Sequence, residues 1–363
     1  MLLYPTPTLP LKNPNKTMKT HVLSLSICLA LLGGSAEAQL QRIVLEGSGA
    51  PQVFASIYDA VAAAEPNDKL YFSGGVFLAD SGLALSIPLH FIGAGIHPDS
   101  TSVTTATTLT TNGSADFIFS TGASGSSFTG IRFNPAGELY YGTDGNNDDP
   151  VDMVFERCSF KFFRLGRVEP STSSSTFNEC IFYNGLYGSG GAATVDRSVV
   201  QGGSINVFRP SGLTLRNSAV LGQRLQNSDN SIVQNCVFTY AGAPLWQVSG
   251  VQITNCIING TGMFSNSSGN TETNTIYSQT PAMTFVSETD GAYQFTDDLH
   301  LLPGSPGIGA GNDGTDIGLY GTSSPFKPGN VPYNPHFIDA TIAPATNPDG
   351  SLPVTIRVAA QPN

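Results

Sequence analysis

Arginine and aromatic residues recur at intervals of about one sequence repeat in the middle of the chain, and these types recognise acidic sugars. An aromatic face packs on a sugar ring, and a guanidinium pairs bidentately with a carboxylate. If these residues lie on one outer face of the fold, they form a stripe along which an elongated polysaccharide could bind. The predicted substrate-binding residues are Arg164, Arg167, Tyr187, Arg209, Arg224 and Trp246. The alternative is ordinary exposed residues, or pairing with Glu156, Glu169 and Asp229.

An acidic, glycine-rich segment over residues 137–150 precedes the first of these arginines. Asp144, Asn146 and Asp148 have the spacing of the first three ligands of a calcium loop. Glu138 and Asp149 could add further oxygens. The twelve-residue calcium pattern is incomplete, because no Glu occupies its closing position. The sequence therefore leaves two interpretations open, a calcium site and a solvated Asp/Asn/Gly turn.

The composition indicates which kind of fold must position these residues. The 363 residues include 40 Gly and 24 Pro, 40% are hydrophobic and only 12% are charged. Scarce charge argues against a mostly helical protein, and the hydrophobic content argues against disorder. The net charge of -11 argues against a nucleic-acid partner, because phosphate binding needs a basic face. Many short strands joined by turns remain as the best interpretation.

Six short runs share one pattern: an apolar residue, two polar residues, a Cys or Ser, a variable residue and an apolar residue. The Cys/Ser position recurs at residues 158, 180, 198, 218, 236 and 256. A period near 20 residues without a helical segment indicates a parallel β-helix, whose coils stack at about 4.8 Å. The small Cys and Ser side chains then form an inward ladder, with Ile131 at the equivalent position of the preceding coil.

Three regions resemble the right-handed parallel β-helix, or pectin-lyase-like, superfamily, as found in secreted bacterial β-helix repeat proteins. Residues 56–61 followed by 66–72 resemble its N-terminal cap, in which a short amphipathic helix covers the open end of the core. The run LHFIGAG at residues 89–95 resembles its first coil. Residues 299–311 and 315–321 resemble its terminal segment. The resemblance implies an all-β, right-handed parallel β-helix solenoid with a short N-terminal capping helix.

The resemblance also implies two forms of catalysis. Galacturonan hydrolases of this superfamily carry a Gly-His-Gly signature, which is absent around the dispersed His90, His97, His300 and His336. Its polysaccharide lyases use an Arg or Lys base beside calcium. The candidate catalytic residues of a lyase are therefore Arg164, Arg167 and Lys161, close to the acidic segment.

The N-terminus resembles an export signal, and the chain divides accordingly. Residues 1–38 are predicted to be an upstream segment plus a signal peptide, with an apolar run over 22–32 and an A-x-A cleavage site at 36–38. A run of eleven residues is too short to span a bilayer. We expect the β-helix over residues 39–325, its last coil over 291–325, and a Pro-rich extension over 326–363 that packs on or closes the solenoid. No transmembrane segment is expected after cleavage.

The four cysteines that follow the signal all occupy the ladder position, at residues 158, 180, 236 and 256. An even number of Cys in an exported chain favours disulfides. In-register residues on parallel strands, however, place Cβ atoms about 4.8 Å apart, which exceeds the disulfide value of about 3.8 Å. We therefore expect buried free thiols. A zinc site is disfavoured because the ligands would lie in a line.

The sequence thus predicts a secreted protein, extracellular or periplasmic, that binds a polysaccharide along the Arg/aromatic face without catalysis. Two alternatives remain open. One is a calcium-assisted lyase acting on a uronate-containing glycan. The other is a structural or adhesive surface protein with a protein partner.

Overall fold

Short parallel strands make up most of the chain in the computed structural model, which describes residues 41–98, 103–288, 290–327, 336–343 and 345–359. The strands form three long sheets that wind through about ten turns. The parallel β-helix predicted from the repeat is therefore confirmed. The predicted signal peptide lies outside the described residues.

The three sheets of the solenoid are named A, B and C here, in the order in which each coil passes through them. Sheet A has twelve strands: Gln52–Phe54, Ile43–Glu46, Lys69–Phe72, His90–Ile92, Ser127–Thr129, Met153–Glu156, Ser174–Asn178, Ala192–Asp196, Leu213–Arg216, Ile232–Gln234, Gln252–Thr254 and Thr271–Thr273. Sheet B has nine: Gly75–Ala79, Thr107–Thr111, Arg132–Asn134, Ser159–Phe160, Ile181–Phe182, Val199–Val200, Ala219–Val220, Val237–Phe238 and Ile257–Ile258. Sheet C has nine: Leu83–Leu85, Phe117–Phe119, Leu139–Tyr141, Phe163–Arg164, Leu186–Tyr187, Ile205–Asn206, Leu225–Gln226, Leu245–Trp246 and Phe264–Ser265.

The N-terminal end of the solenoid carries the predicted cap. The helix Ile57–Ala63 begins after Ser56, whose side chain accepts a hydrogen bond from the Asp59 N–H. Its buried residues, Ile57 and Ala60, join the hydrophobic core. The strand Ile43–Glu46 pairs antiparallel with both of its neighbours, so the first sheet edge is formed by a hairpin. A capping helix is therefore present where the sequence predicts it.

Columns of identical aromatic residues fill the interior. On sheet A, the rings of Phe91, Phe128, Phe155 and Phe177 follow one another with centroids 4.9–5.1 Å apart. This separation is close to the strand spacing, because in-register parallel strands place like side chains above one another. Alternate residues of each strand point inward, so the period of two within a strand and the period of about 20 between coils together build the core.

A left-handed backbone turn joins sheet A to sheet B in successive coils. Asn217, Asn235 and Asn255 occupy it with φ of 48°, 53° and 51°. Asn tolerates this conformation because its short polar side chain forms local hydrogen bonds. Each Asn directly precedes a residue of the Cys/Ser ladder, so the turn fixes the point at which the chain enters the interior again.

The ladder itself is buried, and its four cysteines are free thiols. Cys180 Sγ lies 3.5 Å from the carbonyl oxygen of Phe155, and Cys236 Sγ lies 3.5 Å from that of Leu215. Each of these carbonyls belongs to the coil before. The thiols therefore act as small apolar side chains with weak hydrogen bonds to the backbone, as the ladder geometry predicts.

Residues 281–288 and 290–327 fold back over the outside of sheet B instead of adding the last coil expected over 291–325. The segment contains the helix Pro281–Thr284 and an antiparallel pair, Phe285–Ser287 with Asp298–Leu301. Its apolar residues form a second core with the outward side chains of sheet B. The sheet B strands from Ile181–Phe182 to Ile257–Ile258 are thus buried on both faces, which is why they consist of consecutive apolar residues.

The Pro-rich extension begins in contact with the solenoid. Phe326 is buried in the second core, and the backbone N–H of Lys327 donates to Glu179 Oε2 at 3.1 Å. Farther on, the described residues form an antiparallel hairpin of His336–Ile342 with Val354–Ala359. Packing of the remaining extension on the solenoid stays a prediction.

Candidate functional site

One outward column of sheet C contains three of the six predicted binding residues. Parallel pairing places Tyr140, Arg164, Tyr187, Asn206, Gln226 and Trp246 in one register. Five steps of about 4.8 Å separate its ends, so the column is about 24 Å long. The neighbouring residues of the same strands point into the core, which fixes the column to the outer face.

Arg164 is held against aromatic rings in this column. Its guanidinium carbon lies 5.0 Å from the ring centroid of Tyr187 and 5.9 Å from that of Phe162. The Tyr187 hydroxyl donates to Glu169 Oε1 at 2.9 Å. Partial burial and the Glu169 carboxylate together raise the pKa of Tyr187. The cation–π contact and the hydrogen bond orient both side chains before any ligand arrives.

The acidic segment reaches over one end of the column. Arg167 Nε lies 3.0 Å from Asp144 Oδ1, and Glu138 Oε2 lies 3.6 Å from Arg167 Nη1 and 3.9 Å from Arg164 Nε. The Arg167 guanidinium carbon lies 4.4 Å from the Tyr140 ring centroid. Tyr140 is only 2% exposed as a result. The accessible column therefore runs from Arg164 to Trp246.

Two of the three predicted calcium ligands share Thr143 as a partner, and the third pairs with Arg167. Asp144 pairs with Arg167, whereas Asp148 Oδ1 accepts hydrogen bonds from the backbone and the hydroxyl of Thr143. The Asn146 amide donates to the same hydroxyl at 3.1 Å. Within the described ranges, no group of three or more His, Cys, Asp or Glu is arranged to hold a metal ion. The calcium site stays a prediction.

Arg209 and Arg224 lie outside the column, although the sequence places them in the same stripe. Arg209 is exposed in the turn that leads back to sheet A. Arg224 precedes its strand by one residue, and its guanidinium carbon lies 4.4 Å from the Tyr240 ring centroid. A spacing of about 20 residues assigns residues to successive coils, but the exact position within a coil decides which face they occupy.

Lys161 is separated from the other two candidate catalytic residues. It lies between a strand of sheet B and one of sheet C, and it lines a pocket on the outer face of sheet B with Arg132 and Tyr183. Arg164 and Arg167 share Glu138 on the side of sheet C. The structure therefore brings the two arginines together and places the lysine elsewhere.

Sequence reasoning missed Tyr140, Phe162 and the pocket that contains Arg132. The alternation Leu139-Tyr140-Tyr141 carries a strand signal that would have placed Tyr140 in the column. No local signal could have found the pocket, because Phe295 lies more than 100 residues beyond its other lining residues.

The fold and the exposed column define the chain as a parallel β-helix protein with an Arg/aromatic outer face. No protein-family model matches the chain, and no curated protein matches it significantly. Across the described part of the chain, none of the helices has the length and apolar character needed to cross a membrane.

Proposed function

We propose that this protein is exported and binds an acidic polysaccharide along the outer column of sheet C, without cleaving it. The observation that carries the proposal is the register of Arg164, Tyr187 and Trp246 in one exposed column about 19 Å long. An extended sugar chain matches a linear array of this kind, because each ring packs on an aromatic face and its carboxylate pairs with Arg.

Asn206 and Gln226 fill the two column positions between Tyr187 and Trp246. Their amides offer both donors and acceptors, which suit the hydroxyl groups of a sugar. The Asn227 amide donates to Asn206 Oδ1 at 3.0 Å, so this side chain is already oriented. The column thus combines a cation, two aromatic rings and two amides, all partly exposed.

A binding role fits the arginines better than the lyase alternative does. Glu138 lies within 4 Å of both Arg164 and Arg167. A neighbouring carboxylate stabilises the charged guanidinium and so opposes its use as a proton-abstracting base. Membership of the pectin-lyase-like superfamily is part of the same proposal, supported by the parallel β-helix and the helical cap.

Intrinsic fluorescence tests the proposal directly, since Trp246 is the only Trp of the chain. Titration with a uronate-containing polysaccharide should shift its emission, and a neutral polysaccharide of equal length should have a much smaller effect. Arg164→Gln should weaken binding about tenfold, the cost of losing one charge-assisted hydrogen bond. The matched control Arg209→Gln, in an exposed turn outside the column, should leave the affinity unchanged.

Three results would overturn the proposal. Equal effects of both variants would remove the column from the site. Near-ultraviolet absorbance from an unsaturated product, with calcium present, would favour the lyase. No binding of either acidic or neutral glycans would favour the alternative of an adhesive protein with a protein partner.

A further inference from the structure

The outward column of sheet B changes character along the solenoid. Its members in the later coils are apolar, and residues 281–288 and 290–327 cover them: Ile181, Val199, Ala219, Val237 and Ile257. Its members in earlier coils are the exposed Val76 and then Thr108, Arg132 and Ser159. The covering segment therefore ends where the column becomes polar, and the polar stretch is left as the floor of a pocket.

Phe295 forms the edge of the cover at this point. Its ring packs edge-on against His97 with centroids 4.7 Å apart, and the Arg132 guanidinium carbon lies 5.4 Å from its centroid. The Gln201 side chain holds the backbone of the adjacent Tyr293 by two hydrogen bonds. The pocket between Phe295 and the floor has a volume of about 550 Å³, within the range of small-molecule sites.

Two cations line this pocket. Arg132 donates from Nε and Nη2 to the Ile96 carbonyl, which directs its guanidinium across the floor. Lys161 is exposed, and it lines the same pocket as the partly buried Tyr183. Burial lowers the pKa of Arg132. No Asp or Glu is found among the described residues that line the pocket.

The charge arrangement of this pocket differs from that around the arginines of sheet C. The chain carries a net charge of -11, and Arg157, Arg164 and Arg167 each pair with a carboxylate. Within the described ranges, neither Arg132 nor Lys161 forms an ion pair. Two cations that line one concave site without a carboxylate give the pocket a positive potential, which favours an anionic ligand.

We propose that this pocket binds a carboxylated sugar unit of one or two rings, at a site separate from the column of sheet C. Arg132 and Lys161 contact the carboxylate, and Phe295 packs on the ring. The hydroxyl groups of Thr108 and Ser159 on the floor then face the hydroxyl groups of the sugar. An aromatic acid would leave that polar floor without partners, which costs binding free energy.

The test is calorimetric titration of the purified protein with galacturonate and digalacturonate, beside galactose, benzoate and inorganic phosphate. Either acidic sugar should bind, galactose and benzoate should bind at least tenfold more weakly, and phosphate should not displace the sugar at equal concentration. Lys161→Gln should weaken binding about fivefold, since the pairing lies near the surface. Lys69→Gln, an exposed lysine on sheet A, is the matched control.

Equal affinity for galactose, or no effect of Lys161→Gln, would overturn the proposal. Displacement by phosphate would show a general anion site and would overturn the sugar assignment. The variant Arg164→Gln distinguishes binding at the column of sheet C from binding at the pocket. Loss of galacturonate binding in that variant would place the ligand on sheet C, whereas unchanged binding there, together with loss in Lys161→Gln, supports the pocket even if the column binds nothing.

Discussion

Glu179 accepts hydrogen bonds from the guanidinium of Arg157 one coil earlier, with Nε and Oε2 3.1 Å apart and both side chains almost fully buried. The two residues occupy the left-handed turn that Asn fills in later coils, with φ of 52° and 50°. Arg197 continues the series, with Nη1 3.5 Å from Glu179 Oε1. Charges of alternating sign thus stack where like charges would repel each other.

This series of alternating charges also anchors the chain after it leaves the second core. The Lys327 N–H donates to Glu179, and Arg197 Nη1 donates to the carbonyl and the hydroxyl of Ser324. Glu179→Gln would remove the carboxylate that pairs with both Arg157 and Arg197. We expect the free energy of unfolding to fall by about 3–5 kcal/mol, the usual cost of breaking a buried pair. Urea denaturation followed by Trp246 fluorescence measures it.

The control for this variant is Glu65→Gln, because Glu65 is exposed. We expect its free energy of unfolding to change by less than about 0.5 kcal/mol. Comparable losses in both variants would show that the buried pair contributes nothing particular to stability.

The buried thiols predict how stability responds to alkaline pH. Burial raises the pKa of Cys158 from 9.0 to about 12, and it raises the pKa of Cys180 as well. The unfolded chain therefore loses its thiol protons at lower pH than the folded chain does. The free energy of unfolding should stay level up to about pH 8.5 and fall as pH rises from there through 12.

Denaturation curves at half-unit intervals between pH 7 and 11 test this dependence. Cys158→Ser should have a shallower slope, since Ser does not ionise in this range and already occupies the ladder at residues 198 and 218. Thiol reagents at pH 8 should modify none of the four described cysteines until denaturant is added. Rapid modification of the native protein at these positions would contradict the buried ladder.

The buried carboxyl group of Asp149 makes the stability of the protein depend on pH in the acidic range. Its side chain is 2% exposed, and burial raises its pKa above 3.8. The folded protein therefore binds this proton at higher pH than the unfolded chain does. Its contribution to stability is complete below about pH 3.8 and is lost as pH rises through the folded pKa.

Asp149→Asn should accordingly be more stable than the parent protein at pH 7, and the difference should shrink as pH falls toward 4. The control is Asp144→Asn, whose side chain is 76% exposed. Thermal melts at pH 4, 5, 6 and 7 check both variants. A loss of stability in Asp149→Asn at pH 7 would mean that the ionised carboxylate is needed by the fold.

Successive coils of the backbone pack closely together at Gly93. A Cβ atom at this position would lie 2.5 Å from the Gly130 carbonyl oxygen and 2.9 Å from Thr107 Cβ. Gly93→Ala should therefore destabilise the protein by about 1–3 kcal/mol, the usual cost of overpacking. Gly49→Ala is the control, since a Cβ there meets nothing within 4 Å. Equal melting temperatures for the two variants would show that the coils separate freely.

The repeat could be predicted from the sequence because its causes are local. The spacing of the ladder positions sets the length of a coil, and Asn217, Asn235 and Asn255 mark the turn before each one. The capping helix was predictable for the same reason, since Ser56 and the apolar residues 57, 60 and 61 act within two helical turns.

The second core carried a signal that the repeat pattern concealed. The position after each Cys or Ser reads as variable in sequence, yet Ile181, Val199 and Val237 occupy it and lie under residues 281–288 and 290–327. Two consecutive apolar residues in a strand indicate burial on both faces. The signal shows that a cover exists, and the identity of the covering segment comes only from the tertiary structure.

The sequence by itself determined the parallel β-helix, its coil length, its cap and its buried thiols, because each follows from neighbouring residues or from exact repetition. Only the tertiary structure decided which charged and aromatic side chains meet. It placed Arg164, Tyr187 and Trp246 in one column, left Arg209 and Arg224 outside it, and moved Lys161 to a pocket with Phe295. The reason is geometric: a shift of one residue within a strand reverses the face a side chain occupies, and a segment that folds back meets partners far away in sequence.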